Sequence, residues 1–363
     1  MKKNKENNAG LFSHILQANI PYTLLSIIIG FVVGAVLLAI AGIDPIATFG
    51  ALADGIFGKS KYIVWSIVYA TPIILTGLSV AFSFQTGVFN IGAEGQFVVG
   101  SMAACCVGIF CNLPKPLHIL VCLLAAALAG GIWSMFVAIL KVKRGINEVL
   151  SFIMFNWIAY YLSNYLVNIP AIHKDGDGEA TKNIAESASM LMKFDDKALK
   201  AFFGTGASFS IVVALIAAIV IAFILNKTTL GYKLKAVGFN RFAAEYGGIS
   251  SNREILTALT ISGMLSGLGG ACQVMGMGQR ISQFSSQEGF GFQGITVALI
   301  ASSNPIGCIF SGLFYGAMKY GGSKLTLVNA PSEIVNIIMG TIIFFIAIAP
   351  AIKKLILRGR KGN

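Results

Sequence analysis

Charged residues are scarce in this chain. Of its 363 residues only 12% are Asp, Glu, Lys or Arg, whereas soluble globular domains carry about 25%, and 56% are hydrophobic. This composition excludes an ordinary soluble globular protein. The apolar residues fall in repeated runs of about 20, which is the length of a membrane-spanning helix. The scarcity of charge therefore indicates a chain that lies mostly within a bilayer.

Clusters of metal-ligating or nucleophilic residues are also lacking. The three histidines are scattered, and none of the six cysteines has the CxxC spacing of a metal or redox site. The stretch ADGIFGKS at 53–60 nearly matches a phosphate-binding loop but lacks its first glycine and a preceding strand, and GFGFQG at 289–294 has no βαβ context. We therefore expect no cofactor bound by this chain, no ATPase site and no enzymatic activity of its own.

Apolar runs alternate with polar connections along the chain and predict an all-α polytopic membrane protein with about ten transmembrane helices. The predicted spans are 22–43, 62–84, 95–111, 117–140, 148–166, 208–225, 255–275, 295–303, 306–320 and 333–349. A tail at 1–21 precedes the transmembrane domain of 22–352, and a basic tail follows at 353–363. Within the domain we expect a short loop at 44–61, a long exposed polar insert at 168–206 and a basic loop at 226–254.

The positive charge is distributed unevenly between the two predicted sides of the membrane. With ten spans and the N-terminus inside, 16 of the 27 Lys and Arg residues fall on the inner side, in the two tails and the basic connections. Short inner loops of membrane proteins carry such an excess. The net charge of +12 is thus explained by topology rather than by nucleic-acid binding, and both termini are expected in the cytoplasm.

Two Gly-rich breaks interrupt the apolar pattern. The first lies within GLSVAFSFQTGVFNIGAEGQFVVG at 77–100, and the second spans 276–294. Irregular backbone at membrane depth survives only where protein or a water-filled cavity satisfies its polar groups. The breaks are therefore interpreted as re-entrant or unwound segments that line a path; the alternative is that the first is an ordinary polar loop.

The two breaks belong to an internal repeat. Each follows a long span and precedes a helix with a similar start, EVLSFIM at 148–154 and EIVNIIM at 333–339. The two units are offset by five crossings and so lie inverted in the bilayer. Inverted repeats with broken helices are typical of transporters, with the path at the repeat interface.

Polar residues also mark the fifth span. Asn156, Tyr160 and Asn164 follow one another at a spacing of four, which places them on one helical face. They either line a polar path or bond neighbouring helices.

The break at 77–100 and the basic stretch TTLGYKLKAVGFNRFAAEYGGISSNR at 228–253 carry a family resemblance. Together they resemble the permease subunit of an ABC importer of the branch that serves simple sugars, nucleosides and branched-chain amino acids. FNIGAEGQ, GINEV at 145–149 and GFGFQGI at 289–295 are closest to nucleoside permeases. The resemblance implies a bacterial cell-membrane protein that works with a separate ATPase, which uses the ATP. It also implies a second related permease and a substrate-binding lipoprotein.

The resemblance further implies that the basic loop docks on the ATPase. Its glycine-flanked apolar residues suit a short amphipathic helix in a groove, whereas the alternative is a solvated loop whose charge only sets topology. The candidate coupling residues are Gly231, Lys235, Ala236, Gly238, Asn240, Ala243, Ala244 and Gly247.

The candidate cargo path is assigned to aromatic and amide residues in and near the breaks, because rings and amides suit a base or a sugar by stacking and hydrogen bonding. The candidates are Phe89, Asn90, Glu94, Gln96, Asn156, Phe290, Phe292 and Gln293, with Gln283 and Gln287 nearby.

A nucleoside is the expected cargo, and a simple sugar such as ribose is the alternative. An ion-coupled secondary transporter is a third possibility, although such carriers keep ionisable groups within their spans and this chain shows almost none there. An intramembrane enzyme is disfavoured by the missing catalytic constellation.

Overall fold

The computed structural model describes residues 20–176, 178–204 and 206–361. Within these ranges, side chains are described for residues 23–348. In this part of the chain the only β-structure is three isolated bridges. The helices are α1 (Ile20–Ile40), α2 (Pro45–Phe57), α3 (Ser60–Phe84), α4 (Ala93–Phe110), α5 (Lys115–Arg144), α6 (Glu148–Val167) and α7 (Lys197–Phe203). They continue with α8 (Ser210–Lys227), α9 (Thr229–Phe239), α10 (Arg241–Tyr246), α11 (Ser251–Gln273), α12 (Phe290–Ile300), α13 (Pro305–Gly322) and α14 (Ile334–Lys361). The all-α prediction is confirmed.

The chain divides into two compact units, one formed by its two ends and one by residues 56–320. In the first unit, α1 packs against α14 through two glycines. A Cβ on Gly34 would lie 2.6 Å from Cγ1 of Ile338, and one on Gly30 would lie 2.5 Å from Cγ1 of Ile342. The missing side chains allow the two helices to approach closely.

The second unit is built around α3 and α11. Every residue of α3 from Ala70 to Ser83 is buried, which is typical of a helix surrounded by protein on all sides. Helix α11 packs against α3, α4 and α5. A Cβ on Gly267 would lie only 2.2 Å from the carbonyl oxygen of Ala126 in α5, and Gly100 of α4 meets the backbone of the same glycine. The glycines of α11 thus allow the backbones of three helices to approach closely.

Apolar faces remain uncovered at the outside of this unit. Helix α5 exposes Leu120, Leu124 and Leu128, and α8 exposes Ile216 and Ile219. Large apolar side chains in continuous exposed rows suit contact with lipid rather than with water. Six helices in the described residues are long and apolar enough to cross a membrane, namely α1, α3, α4, α5, α8 and α11 with its extension to Gly278. The chain is a multi-pass membrane protein.

Each of the ten predicted spans coincides with a helix, but several predicted connections differ from the structure. The expected loop at 44–61 contains α2, and α12 starts at Phe290 rather than at 295. Helix α14 continues to Lys361, so the predicted basic tail at 353–363 is helical as far as that residue. Of the predicted N-terminal tail, residues 1–19 lie outside the described residues.

The long polar insert is folded rather than simply exposed. It contains α7 and buries Ile184, Ala188 and Met190. On its surface Lys193 donates a hydrogen bond to Glu186 and thereby lowers the pKa of that carboxyl. The insert and the helices α9–α10 lie at opposite ends of α3. Gly206 packs directly on Trp65 near the start of α3, whereas Gly238 of α9 packs against Gln85 at its end.

Candidate functional site

The two breaks bring two helix N-termini together in the second unit. Irregular backbone at 85–92 leads into α4, and irregular backbone at 279–289 leads into α12. Glu94, in the first turn of α4 and 1% exposed, accepts hydrogen bonds from the backbone N–H of Gly289 at 2.7 Å and of Gly291 at 2.6 Å. Its carboxylate therefore lies at the N-terminal ends of α4 and α12, where the helix dipoles favour negative charge.

Each break is held by the long helix that precedes the other break. In α3, Thr76 donates its hydroxyl hydrogen to the carbonyl oxygen of Phe290, the first residue of α12, at 2.9 Å. In α11, Ser266 donates to the carbonyl oxygen of Ala93, the first residue of α4. Gly92 and Gln96 of the first break correspond in position to Gly289 and Gln293 of the second. The contacts agree with the repeat deduced from the sequence.

Asn90 and Gln96 form a closed polar cluster. Their amides pair reciprocally, with both N···O distances at 2.9 Å. The amide nitrogen of Asn90 also donates to Ser262 of α11 at 2.6 Å and lies 3.3 Å from the hydroxyl oxygen of Ser79 in α3. Asn90 and Gln96 are completely buried. In this conformation the two amides satisfy each other among α3, α4 and α11, and their place on the cargo path stays a prediction.

The predicted aromatic residues divide into packed and exposed members. Phe89 stacks on Phe84, and Phe290 stacks on Phe97 with ring centroids 5.0 Å apart. Phe290 is only 4% exposed, whereas Phe292 is 40% exposed. Two of the three predicted aromatic candidates therefore pack against other rings, and Phe292 keeps a free surface.

Lys319 of α13 joins this junction and was missed from the sequence. Its ammonium lies 3.8 Å from the centre of the Phe290 ring and donates to Oε1 of Gln293 at 3.0 Å. A cation over an aromatic face is a favourable electrostatic contact. The sequence contained one indication, a single lysine in the otherwise uncharged stretch 305–323. The expectation that the spans carry almost no ionisable group has to be corrected at this residue.

The polar face of α6 bonds neighbouring backbone. Asn156 accepts from the N–H of Gly95 at 2.8 Å and donates to the carbonyl oxygen of Ile91 at 3.1 Å. Tyr160 and Asn164 both donate to the carbonyl oxygen of Phe284, and Asn164 also accepts from its N–H, each at 2.9 Å. The second of the two interpretations of this face, in which it joins segments, is the one that the structure supports.

An open cavity of about 590 Å³ lies between the end of α11, α4 and the segment 280–288. Its lining is mostly polar. The lining residues are Ser101, Gln273, Val274, Gly278, Arg280, Ile281, Ser282, Gln283, Phe284, Ser285, Ser286, Gln287 and Glu288. Its volume falls within the roughly 300–1,000 Å³ that is typical of small-molecule sites. Of the amides considered from the sequence, Gln283 and Gln287 line this cavity.

Glu288 is the one carboxyl among the lining residues that the structure describes. It lies in the linker ahead of α12. Burial raises the pKa of Glu288 to about 7; the charge of Glu94 contributes to the rise and Lys319 opposes it. The side chain is therefore present in both protonation states near neutral pH. The neighbouring residue, Gly289, is the one that Glu94 binds, so the cavity borders the junction of the two breaks.

Half of the predicted coupling residues face the bundle. A Cβ on Gly238 would lie 2.1 Å from the carbonyl oxygen of Gln85, and one on Gly231 would lie 2.3 Å from that of Ile224. Ala244 is buried in an apolar cluster with Val88 and Phe152, and Ala236 packs against the same cluster. These four residues hold α9 and α10 against the bundle rather than present a surface to a partner.

The other four predicted coupling residues lie at or near the surface. Lys235 donates to the side chain of Asn226 at 2.9 Å. Asn240 caps α10 by accepting from the N–H of Ala243 at 3.1 Å, and Gly247 ends that helix. The contacts of Lys235 and Asn240 therefore stabilise the two short helices α9 and α10 and the turn between them.

A set of exposed aromatic side chains on α9 and α10 was missed from the sequence. Phe239 is 90% exposed, Phe242 is 81% exposed and Tyr246 is 98% exposed. Large aromatic residues are enriched at protein interfaces and costly to leave in water. Their spacing of three and four is that of one helical face, and this signal was overlooked. The structure instead divides them between two short helices separated at Asn240.

A comparison with known families identifies the chain. The family model described as the permease component of branched-chain amino acid transport systems matches residues 62–347, which include both breaks and the α9–α10 segment. The chain belongs to this permease family. Its members are permease components of transport systems, which are not themselves enzymes. The match confirms the family resemblance deduced from the sequence.

Several relatives resemble the chain over nearly its whole length. It is 38% identical to the guanosine ABC transporter permease protein NupP of Bacillus subtilis over 332 residues, 91% of this chain and 93% of that protein. It is 31% identical to the nucleoside ABC transporter permease protein NupB of Lactococcus lactis, over 90% of each chain. The glucose ABC transporter permease protein TsgB13 of Haloferax volcanii is 27% identical over 94% of this chain and 91% of its own. No solved structure matches.

Proposed function

We propose that this chain is the membrane permease subunit of an ATP-driven importer of nucleosides. The observation that carries the proposal is the similarity to two nucleoside-type permeases at 38% and 31% identity over at least nine tenths of the chain. The glucose permease is less similar, at 27%. A polar cavity next to the junction of two re-entrant breaks supports a path for a polar cargo.

The energy for transport comes from a separate ATPase subunit that docks on α9 and α10. The exposed aromatic residues Phe239, Phe242 and Tyr246 form the surface for it, while Gly238 and Ala244 fix this surface to the bundle. A second, related permease and a substrate-binding lipoprotein complete the complex. These partners are in keeping with membership of a permease family, whose members contribute one component of a transport system.

Docking of the ATPase on α9 and α10 and delivery of cargo by the lipoprotein fix the orientation of this chain in the membrane. The transmembrane domain covers 22–352, and the loop at 226–254 faces the cytoplasm with both termini. The insert at 168–206 lies outside, where the lipoprotein delivers cargo. The positions of the insert and of α9–α10 at opposite ends of α3 support opposite sides of the membrane.

Uptake by the complete complex in cells tests the proposal. Labelled guanosine, adenosine, cytidine, ribose and glucose are supplied singly and as competitors. Nucleoside uptake that persists when a protonophore collapses the proton gradient and cellular ATP is held constant supports an ATP-driven nucleoside importer. Uptake of sugars alone favours the sugar alternative, and loss of uptake on collapse of the gradient favours an ion-coupled carrier.

A further inference from the structure

The charge content of the 590 Å³ cavity restricts its cargo. Among the lining residues that the structure describes, Arg280 is the only basic one and Glu288 the only acidic one. A phosphate group carries up to two negative charges and normally requires several cationic or backbone donors. A branched aliphatic cargo requires an apolar pocket, whereas amides and hydroxyls predominate here. The lining thus suits a neutral molecule with many hydrogen-bonding atoms.

The hydrogen-bonding groups of the cavity lining restrict which neutral molecules fit as cargo. The guanidinium of Arg280 offers paired donors, and the carboxyl of Glu288 offers paired acceptors. A 6-oxopurine presents acceptors at O6 and N7, which suit arginine, and presents N–H donors on its neighbouring edge, which suit a carboxylate. Adenine has an amino group in place of O6 and lacks the acceptor pair. The aromatic ring of Phe284 and the amides of Gln273, Gln283 and Gln287 complete the lining.

Part of the cavity wall is fixed before any cargo arrives. Tyr160 and Asn164 of α6 bind the backbone of Phe284 from one side. From the other side the insert holds the same segment, because Thr181 accepts from the N–H of Ile281 at 3.1 Å and the N–H of Gln283 donates to the carbonyl oxygen of Glu179 at 2.8 Å. A site held in this way loses little conformational freedom on binding.

We propose that this cavity receives the cargo and that Arg280 and Glu288 select a 6-oxopurine nucleoside. The inference deepens the proposed function and rests on it. Glu288 immediately precedes Gly289, which is bound to Glu94, so cargo held by Glu288 lies beside the closed junction of the two breaks. The role of these two residues is selection of the cargo among nucleosides rather than energy coupling.

The test is a ratio of transport efficiencies in the complete complex. Uptake of labelled guanosine and adenosine is measured for the wild type, Glu288→Gln and Arg280→Lys, and Vmax/KM is compared for the two cargoes. Loss of one good bidentate contact corresponds to about a tenfold fall in the guanosine-to-adenosine ratio. The same lipoprotein serves every variant, so a change in the ratio belongs to this chain. A defect in assembly lowers both rates together and leaves the ratio unchanged.

Asp175→Asn is the matched control, since this exposed aspartate lies on the adjoining insert and its side chain does not line the cavity. Gln287→Leu supplies a further variant in case either charged residue is needed for folding. A fall in the ratio for Glu288→Gln, Arg280→Lys or Gln287→Leu, with the control unchanged, is the expected result. Wild-type uptake of nucleosides with an unaltered ratio in all three variants overturns this inference alone. Absence of any nucleoside uptake by the wild type overturns the proposed function and the inference with it.

Discussion

Thr76 and Ser266 make equivalent hydrogen bonds in the two halves of the core. Each lies on a long buried helix, and each donates to the carbonyl oxygen of the first residue of the re-entrant helix packed on it. The same carbonyl oxygen also accepts a backbone hydrogen bond of its own helix, so the hydroxyl supplies a second bond and ties the start of the re-entrant helix to the long helix. A hydrogen bond between neutral groups contributes about 0.5–1.5 kcal/mol. The two halves of the core therefore fix the start of a re-entrant helix by the same contact.

The carboxylate of Glu94 links the two halves, and its removal tests the link. Glu94→Gln leaves one acceptor where two backbone N–H groups donate. Hydrogen bonds to a charged group contribute about 1.5–3 kcal/mol each, so we expect a destabilisation of about 2 kcal/mol. The measurement is thermal denaturation of the purified complex in detergent, with a lower Tm for the variant.

Glu148→Gln provides the comparison for Glu94. Its carboxylate pairs with Lys141 at 2.6 Å in a partly exposed position, and such pairs contribute about 0–1 kcal/mol. A loss of stability as large in Glu148→Gln as in Glu94→Gln would show that the buried link has no special importance.

The membrane-length helices of this chain could be predicted from its apolar runs, but the short helices α2 and α7 could not. Helix α2 covers only 13 residues and contains Gly50, Asp54 and Gly55, so no membrane-length run marks it. The repeat was predictable because glycine-rich breaks follow two long spans. These are properties of local composition, and composition is what a single sequence displays directly.

The inner arrangement of the site could not be predicted in the same way. Asn90 lies in the first break and Gln96 near the start of α4, but nothing in the sequence indicates that they pair with each other and with Ser79 and Ser262. Asn156 was likewise assigned to a path, whereas both ends of its amide bind backbone. The partner of a polar side chain depends on contacts between distant segments, and one sequence does not reveal those contacts.

Substitution by alanine is expected to lower transport at Gly238 and to leave it unchanged at Gly247, two glycines of the α9–α10 segment. A Cβ on Gly238 would lie 2.1 Å from the backbone oxygen of Gln85, whereas one on Gly247 would meet nothing closer than 3.4 Å. Gly238→Ala has to displace α9 from the end of α3, and overpacking of this kind costs about 1–3 kcal/mol. We expect Gly238→Ala to lower uptake and cargo-stimulated ATP hydrolysis on the order of tenfold. Gly247→Ala should remain close to the wild type, and equal activity of both variants would contradict the proposed contact.

The exposed aromatic residues are expected to bind the ATPase subunit. Truncating a central aromatic residue of an interface costs about 2 kcal/mol, which corresponds to roughly thirtyfold weaker association. Phe242→Ala and Tyr246→Ala are each expected to reduce co-purification of the ATPase, and the double variant to reduce it further. Phe202→Ala is the control, because this residue is also exposed but lies in the insert at the other end of α3. Undiminished recovery of the ATPase with the double variant would exclude this face as its docking surface.

The selection of cargo by Glu288 is expected to depend on pH. Burial raises the pKa of Glu288 to about 7, with Glu94 adding to the rise and Lys319 opposing it, while Arg280 lines the same cavity. At pH 6 the carboxyl is mostly protonated and offers fewer acceptors, whereas at pH 8 it is mostly ionised and accepts two N–H groups. The guanosine-to-adenosine ratio of Vmax/KM should therefore rise between pH 6 and pH 8. The amide of Glu288→Gln does not titrate, so the ratio of this variant should stay level over the same interval. A rise that persists in Glu288→Gln would assign the pH dependence to another component of the complex.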